Sequence, residues 1–306
     1  MKKTILVIPL ILGLCFLTFN LCFAGAGKKG GEFLKIGVGE RAIGMGGAFC
    51  SIADNVTAVY WNPAGLAQLK MRELSAMHLQ YLVGVKSEYL GYAQPIGKGT
   101  LAGQISFLHS KSERRDDKGN TIGEFWDYEG ILTLGYGRWL NSVLSLGINL
   151  KTIYTRFDTD EASGIAFDIG CLYKTPIEGL GIGIVLQNIE TGLKYTDQSE
   201  SMALNLKIGT SYRFGRSLIF SSDADTFGNK INFRFGSEYT FIPVWKWGLR
   251  IAARVGYKTA TISDLGALSG VSAGMGLGWK AYGMDYAWVP HGDLGNTHRI
   301  SLNVRF

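Results

Sequence analysis

From Arg72 to the C-terminus the chain alternates apolar and polar residues with a period of two. Successive side chains of a strand point to opposite faces, so this alternation predicts strands with one apolar face. The clearest run spans 143–157, with Leu144, Leu146, Ile148, Leu150 and Tyr154 on one face and Ser145, Gly147, Asn149 and Lys151 on the other. Similar runs set Ile165, Phe167 and Ile169 against Asp168, and Phe233, Phe235 and Tyr239 against Arg234 and Glu238. The pattern predicts about fourteen strands, at 73–83, 88–96, 99–110, 128–140, 142–157, 163–174, 179–189, 202–214, 217–225, 230–242, 247–258, 270–280, 281–289 and 298–306. Many are close to the ~9–11 residues that a tilted strand needs to cross a bilayer.

Two all-β architectures fit these runs. A soluble sandwich hides the apolar face; a transmembrane antiparallel β-barrel turns it to lipid and fills its lumen with polar groups and water. Three features predict the barrel. The polar faces are rich in small residues, such as Ser272, Gly274, Gly276 and Gly278. Short links (97–98, 140–141, 175–178, 215–216) alternate with longer polar ones (111–127, 189–201, 259–269, 290–297), the rhythm of short periplasmic turns and outer loops. Aromatics recur near strand ends, at Tyr81, Tyr89, Trp139, Tyr154, Trp245, Trp247, Trp279 and Trp288. The last run, HRISLNVRF, places Ile300, Leu302, Val304 and Phe306 on one face. A closing strand ending in phenylalanine is similar to the signal by which the barrel assembly machinery recognises its clients.

The N-terminus adds a compartment. Lys2 and Lys3 precede an apolar run from Ile5 to about Phe19, and Ala24 or Ala26 offers a small residue for cleavage. This predicts a secretory signal peptide over 1–24. The run is short for a spanning helix of ~20 residues, which argues against an uncleaved anchor. Residues 25–71 are expected to form a plug or hatch and 72–306 the barrel. The abundance of glycine (42) over proline (6), with 12% aromatics, suits a large sheet. Cys50 and Cys171 are expected to remain after cleavage, too far apart in sequence to predict a disulfide.

Charge narrows the chemistry. The formal net charge of +6 falls to +4 on removal of Lys2 and Lys3, too little to point to nucleic acid. The lumenal face is expected to carry Lys151, Lys207, Arg213, Arg234, Arg250, Arg254, Arg299 and Arg305, facing Asp168, Glu238 and Asp285. Such a face attracts anions, or its charges pair among themselves and with plug acids such as Glu40 and Asp54. No metal or cofactor is expected: His78, His109, His291 and His298 have no metal-ligand spacing. Gly37-Val-Gly39-Glu-Arg-Ala42 fits a loose dinucleotide fingerprint, but no βαβ unit surrounds it. His109-Ser110 has no G-x-S-x-G beside it, and no enzymatic activity is expected.

The stretch at 53–67, ADNVTAVYWNPAGLA, breaks the strand pattern. Asp54 or Asn55 is expected to cap a short helix running through Trp61. Pro63 disfavours helical geometry at Asn62, ends that helix, and opens a second turn. Gly65 permits close approach to a neighbour, and Val59, Tyr60 or Trp61 is expected to pack on the barrel wall.

Residues 33–67, FLKIGVGERAIGMGGAFCSIADNVTAVYWNPAGLA, resemble the N-terminal signature of the PorV/PorQ family of outer-membrane proteins, which belongs with the FadL-like barrels. The end at 295–306, GNTHRISLNVRF, looks like that family's end. The resemblance implies a fourteen-stranded barrel in the bacterial outer membrane with an N-terminal hatch. It implies a scaffold or shuttle for exported proteins, as in type IX secretion, with sorting domains as partners. The alternative it implies is passive transport of hydrophobic small molecules. The barrel is expected to be monomeric. A docking function should need Phe125 and Trp126 in the outer loop 111–127; a solute channel should need plug residues.

Overall fold

The computed structural model describes residues 32–190, 192–194, 199–200, 202, 204–226, 231–241, 248–261 and 266–306. The signal-peptide expectation, Trp245 and Trp247 lie outside them. Fourteen strands follow one another as antiparallel neighbours: β1 Glu73–Gln80, β2 Lys86–Ile96, β3 Gly99–Arg115, β4 Thr121–Trp139, β5 Leu144–Phe157, β6 Asp160–Lys174, β7 Leu180–Glu190, β8 Asn205–Phe214, β9 Leu218–Asp225, β10 Asn232–Phe241, β11 Leu249–Lys258, β12 Val271–Trp279, β13 Tyr282–Pro290 and β14 Asn296–Arg305. β1 pairs with β14, Leu74 opposite Val304 and His78 opposite Ile300, so the sheet closes into a barrel without free edges. Closure removes the unpaired backbone groups that an open sheet would present to lipid.

The sequence alternation translates directly into inside and outside. Leu146, Ile148, Leu150, Phe167, Ile169, Leu302 and Phe306 are exposed on the outer face, while Ser145, Asn149, Lys151, Asp168 and Ser301 are buried in the lumen. A water-soluble sandwich would show the reverse. Aromatics form bands at the two ends of the outer face. Phe107, Trp126 and Tyr154 stand at one end; Phe220, Tyr239, Trp279, Tyr282 and Phe306 stand at the other. Tyr81, Tyr89 and Trp139 do not join these bands: Tyr89 is buried in a lumenal cluster, and Tyr81 and Trp139 line hollows inside the barrel.

Element ends differ from the alternation in informative ways. The segment expected as a long loop at 111–127 is mostly strand: β3 continues to Arg115 and β4 begins at Thr121, so a hairpin projects beyond the barrel rim. Its tip, from Arg114 to Asn120, is polar, and period-two patterning vanishes where neither face packs. The link between β5 and β6 is a tight turn at Asp158 and Thr159, with Asp158 at φ 54°.

Residues 33–69 lie inside the barrel. They form two short helices, α1 (Glu40–Gly44) and α2 (Ala58–Trp61), and a 3-10 turn over Pro63–Gln68. The plug has its own apolar core of Met45, Phe49, Ile52, Val59, Trp61 and Leu66, which meets wall residues Ala93, Ala102 and Ile219. A girdle of wall glycines receives its backbone. A Cβ at Gly147 would strike Pro63, one at Gly183 would strike Cys50, and one at Gly256 would strike Gly46. The small residues on the polar faces thus mark where main chain presses on main chain.

Candidate functional site

The plug is held by polar wall residues that accept or donate at its main chain. Asn149 donates to the Val59 carbonyl at 2.7 Å, Gln187 to the Tyr60 carbonyl at 2.7 Å, and Ser145 to the Ala64 carbonyl at 3.0 Å. Asp223 accepts from the Phe49 and Cys50 amides, both at 2.9 Å, and Glu73 accepts from the Val56 amide at 2.9 Å. These bonds satisfy plug backbone groups that the short helices cannot pair internally.

The kinked stretch behaves as follows. Asn62 adopts an extended conformation (φ −166°, ψ 108°) and ends α2, and Pro63 is the first residue of the 3-10 turn. The Asn62 amide donates to the Cys50 carbonyl at 3.0 Å and to the Cys171 carbonyl of the wall at 3.1 Å, while its oxygen accepts from the Ala64 amide at 3.1 Å. A Cβ on Gly65 would strike the Ala53 carbonyl. Asp54 does not cap α2; it pairs instead with Arg41 and, at 3.5 Å, with Arg213. Thr57 occupies the cap position, and Asn55 accepts from the Thr57 amide at 3.1 Å and its hydroxyl at 2.6 Å, shaping the turn before the helix. Asn55 thus closes an Asx turn two residues before Thr57, the local alternative to a cap. The Trp61 ring packs on Phe49 and Tyr60 within the plug, its indole donates to the Val38 carbonyl at 2.9 Å, and the Lys207 ammonium sits 4.8 Å from its centre.

The lumenal charges pair largely with one another. Lys151 bonds Asp168 at 2.8 Å and Asn188 at 3.0 Å. Arg234 bonds Asp225 at 2.5 Å. Glu238 receives Arg41 of the plug through two nitrogens, at 2.7 and 2.8 Å, and Arg254 at 2.6 Å; Arg254 also reaches Asp285 at 2.7 Å. Arg250 keeps the lumenal register of Ala252 and Arg254 and packs beside Gly278, but it is exposed because β11 begins there at the rim. Arg213 also lies at that rim, half-exposed. Asp223, Asp225, Gln187 and Lys258 were not singled out by the pattern. Asp223 and Asp225 sit in SSDAD, where Ser222 and Ala224 make both faces look alike.

Above the plug lies a cavity of about 640 Å³, open toward the mouth formed by the links after β1, β11 and β13. Its floor is apolar, from Ile36, Ile43, Tyr60 and Trp61, with Phe33, Leu34, Leu108 and Ile131 at one side. Among the described residues, its wall carries five cations, Lys151, Lys207, Arg234, Lys258 and Arg299, and one acid, Glu129. Asp168 and Asp225 are fully buried and contribute nothing to the lining. Arg299 donates to the Gly37 carbonyl at 3.0 Å, and its buried Nε has no hydrogen-bond partner. A second hollow of about 350 Å³ lies on the other side of the plug, against Ser51, Ile52, Gln68 and Trp139. The plug core separates the two. Gly37 and Gly39 of the loose dinucleotide pattern belong to the plug, where Gly39 (φ 79°) precedes the five-residue α1; among the described residues no strand leads into them.

No protein-family model matches the chain, and no curated protein matches its sequence. Solved structures do match in fold. The toluene transporter TodX of P. putida shares 10% identity and a TM-score of 0.59, over 88% of this chain and 99% of that one. The monoaromatic hydrocarbon channel CymD shares 14% identity and a TM-score of 0.59, over 89% and 98%. A FadL homologue of Pseudomonas aeruginosa shares 12% identity and a TM-score of 0.53, over 86% and 97%. The chain has a FadL-like barrel fold of the outer-membrane type. These neighbours are named as channels and transporters, not enzymes.

Proposed function

We propose that the chain is a passive outer-membrane channel for hydrophobic or amphipathic small molecules, which enter the cavity above the plug. The observation that carries this reading is the cavity itself: its volume falls among the about 300–1,000 Å³ of small-molecule sites, and it joins an apolar floor to a few polar groups. The fold neighbours, a toluene transporter and a monoaromatic hydrocarbon channel, support it. The cationic wall goes further than a neutral hydrocarbon needs. Cations that line a low-dielectric hollow while their acids lie behind them favour a ligand with an acidic head. Residues 1–24 serve as the export signal in this reading, 25–71 as the hatch, and Ile300, Leu302, Val304 and Phe306 as the assembly signal.

Titration calorimetry on the full-length protein in detergent, with 4-hexylbenzoate and the matched 4-hexylbenzyl alcohol, tests the site. The acid should bind about tenfold tighter than the alcohol, and Lys207→Met should bring the two together. Absence of binding by either compound would refute the cavity as a small-molecule site.

The second reading is a scaffold or shuttle for exported proteins, as the PorV/PorQ resemblance implies. Its specific support is Trp126, which is exposed on the projecting hairpin. Trp126 stacks with Tyr128 (6.4 Å between centres), however, and lies in one row with Phe107 and His109 on the outer face. That placement suits a lipid interface as well as a docking surface, whereas the cavity has no role in docking.

A further inference from the structure

Among the described residues, the exposed charges of the barrel are distributed unequally between its ends. At the end carrying the hairpin tip, four exposed cations pair with acids: Lys111 with Glu124, Arg115 with Glu113, Arg114 with Asp158 and Arg156 with Glu161. At the short-turn end the cations of the turns and of the outward register have no such pairs among the described residues. Lys98, Arg216 and Lys280 occupy three of the turns, Arg138 ends β4, and Lys70 and Arg72 lead into β1; all are exposed. Lys174, Arg213 and Arg250 stand at the same end but continue the lumenal register, and Arg213 reaches Asp54 at 3.5 Å, so they are not part of the outward set. Among the described residues, Glu178 is the one exposed acid at that end; Glu73 is buried and bonded to Arg305.

Several of these cations continue the outward register of the lipid-facing belt. Along β4 the outward positions run Leu134, Tyr136, Arg138; along β8 they run Tyr212, Phe214 and then Arg216. On β12, Leu277 and Trp279 precede Lys280, whose ammonium lies 4.9 Å from the Trp279 ring centre. An apolar residue, then an aromatic, then a cation is the order met on leaving hydrocarbon for the headgroup layer.

We propose that this basic collar binds the anionic headgroups of phospholipids in the leaflet at the short-turn end. The occupant is lipid because the collar is continuous with the apolar belt and stands at its edge. The interaction gives the barrel a fixed depth and ties its short-turn rim to anionic lipid. It depends on the barrel standing in a membrane and not on what the lumen carries, so it stands or falls apart from the channel reading.

The test uses the full-length protein in vesicles of phosphatidylcholine with spin-labelled phosphatidylglycerol or spin-labelled phosphatidylcholine as the reporter lipid. Electron paramagnetic resonance reads the fraction of each held at the protein surface. Phosphatidylglycerol should be preferred about threefold, a preference lost in about 1 M salt as the screening length shrinks to about 3 Å. The variant carrying Lys98→Gln, Arg138→Gln, Arg216→Gln and Lys280→Gln should lose the preference; the variant carrying Lys86→Gln, Lys111→Gln and Arg156→Gln at the opposite end should keep it. Heat-modifiable migration checks that each barrel is folded, and the pair Lys98→Gln, Lys280→Gln, confined to turns, replaces the fourfold variant if that fails to assemble. Equal association of the two lipids with the wild-type protein overturns the proposal and turns the collar toward a soluble acidic partner. Equal loss in the two variants also overturns it.

Discussion

Asn62 shows how one side chain ties three parts of the molecule together. It is fully buried, and its amide bonds plug, wall and the next turn at once. Asn62→Ala leaves two carbonyls and an amide without their partner, a cost of roughly 1–3 kcal/mol, read as a lowered denaturation midpoint of the plug in urea. Glu40 is the opposite case. It is buried on α1, and burial pushes its pKa up to about 7, against the opposing pull of the Ser301 hydroxyl and of Arg299. The folded chain therefore keeps a proton through pH 4.5 to 7 that the unfolded chain releases. Plug stability should be full below that window and fall by about 3 kcal/mol as pH rises through it. Glu40→Gln should flatten the dependence, and a urea series across pH read by tryptophan fluorescence checks both. The roles of Asn62 and Pro63 as a helix stop were legible in the sequence because proline constrains its neighbour locally. The bond from Asn62 to Cys171 was not, because 109 residues separate them.

Strands, plug helices and hairpin differ in how far their sequences announce them. The strands were legible because lipid outside and a packed lumen inside force alternation wherever both faces are occupied. The hairpin beyond the rim lost its pattern with its packing. Plug–wall contacts were legible only as a surplus of small residues, since a glycine that receives a backbone looks like any other glycine. Gly147→Ala should therefore destabilise by roughly 1–3 kcal/mol through overpacking against Pro63. Gly123→Ala, in the projecting hairpin with open space around it, should change the thermal midpoint little. Arg41 links α1 to β10 through Glu238. Arg41→Met strands that carboxylate beside Arg254 alone and should cost roughly 3–5 kcal/mol, seen as faster hydrogen exchange of the α1 amides with barrel strands unaffected. Replacing residues 114–122 by a tight turn should leave acid binding in the cavity unchanged, because no residue of that segment lines it. Loss of binding on this change would contradict the placement of the site.

The membrane-spanning part is an inverted protein: its buried charges are inside and largely paired, its apolar belt is outside, and its plug is a small apolar core held by wall polar groups. The fold and its closure followed from the alternation; the cavity did not, because it is made by residues from both the plug and most of the wall, brought together from 33 to 299. Its cations appeared in the sequence as a basic lumen, yet which of them meet the cavity and which are neutralised behind it depends on side-chain pairing across strands. The central claim is that this hollow admits small amphipathic molecules for passage through the outer membrane. The most direct measurement is uptake of radiolabelled 4-hexylbenzoate by cells producing the wild-type chain, compared with cells lacking it and with cells producing the variant carrying Lys207→Met and Arg299→Met. The account predicts several-fold faster uptake with the wild-type chain than without it, and a return of the variant toward the rate of cells that lack the chain. Uptake that does not depend on the chain, accompanied by altered export of surface proteins when it is absent, would contradict the channel and favour the scaffold.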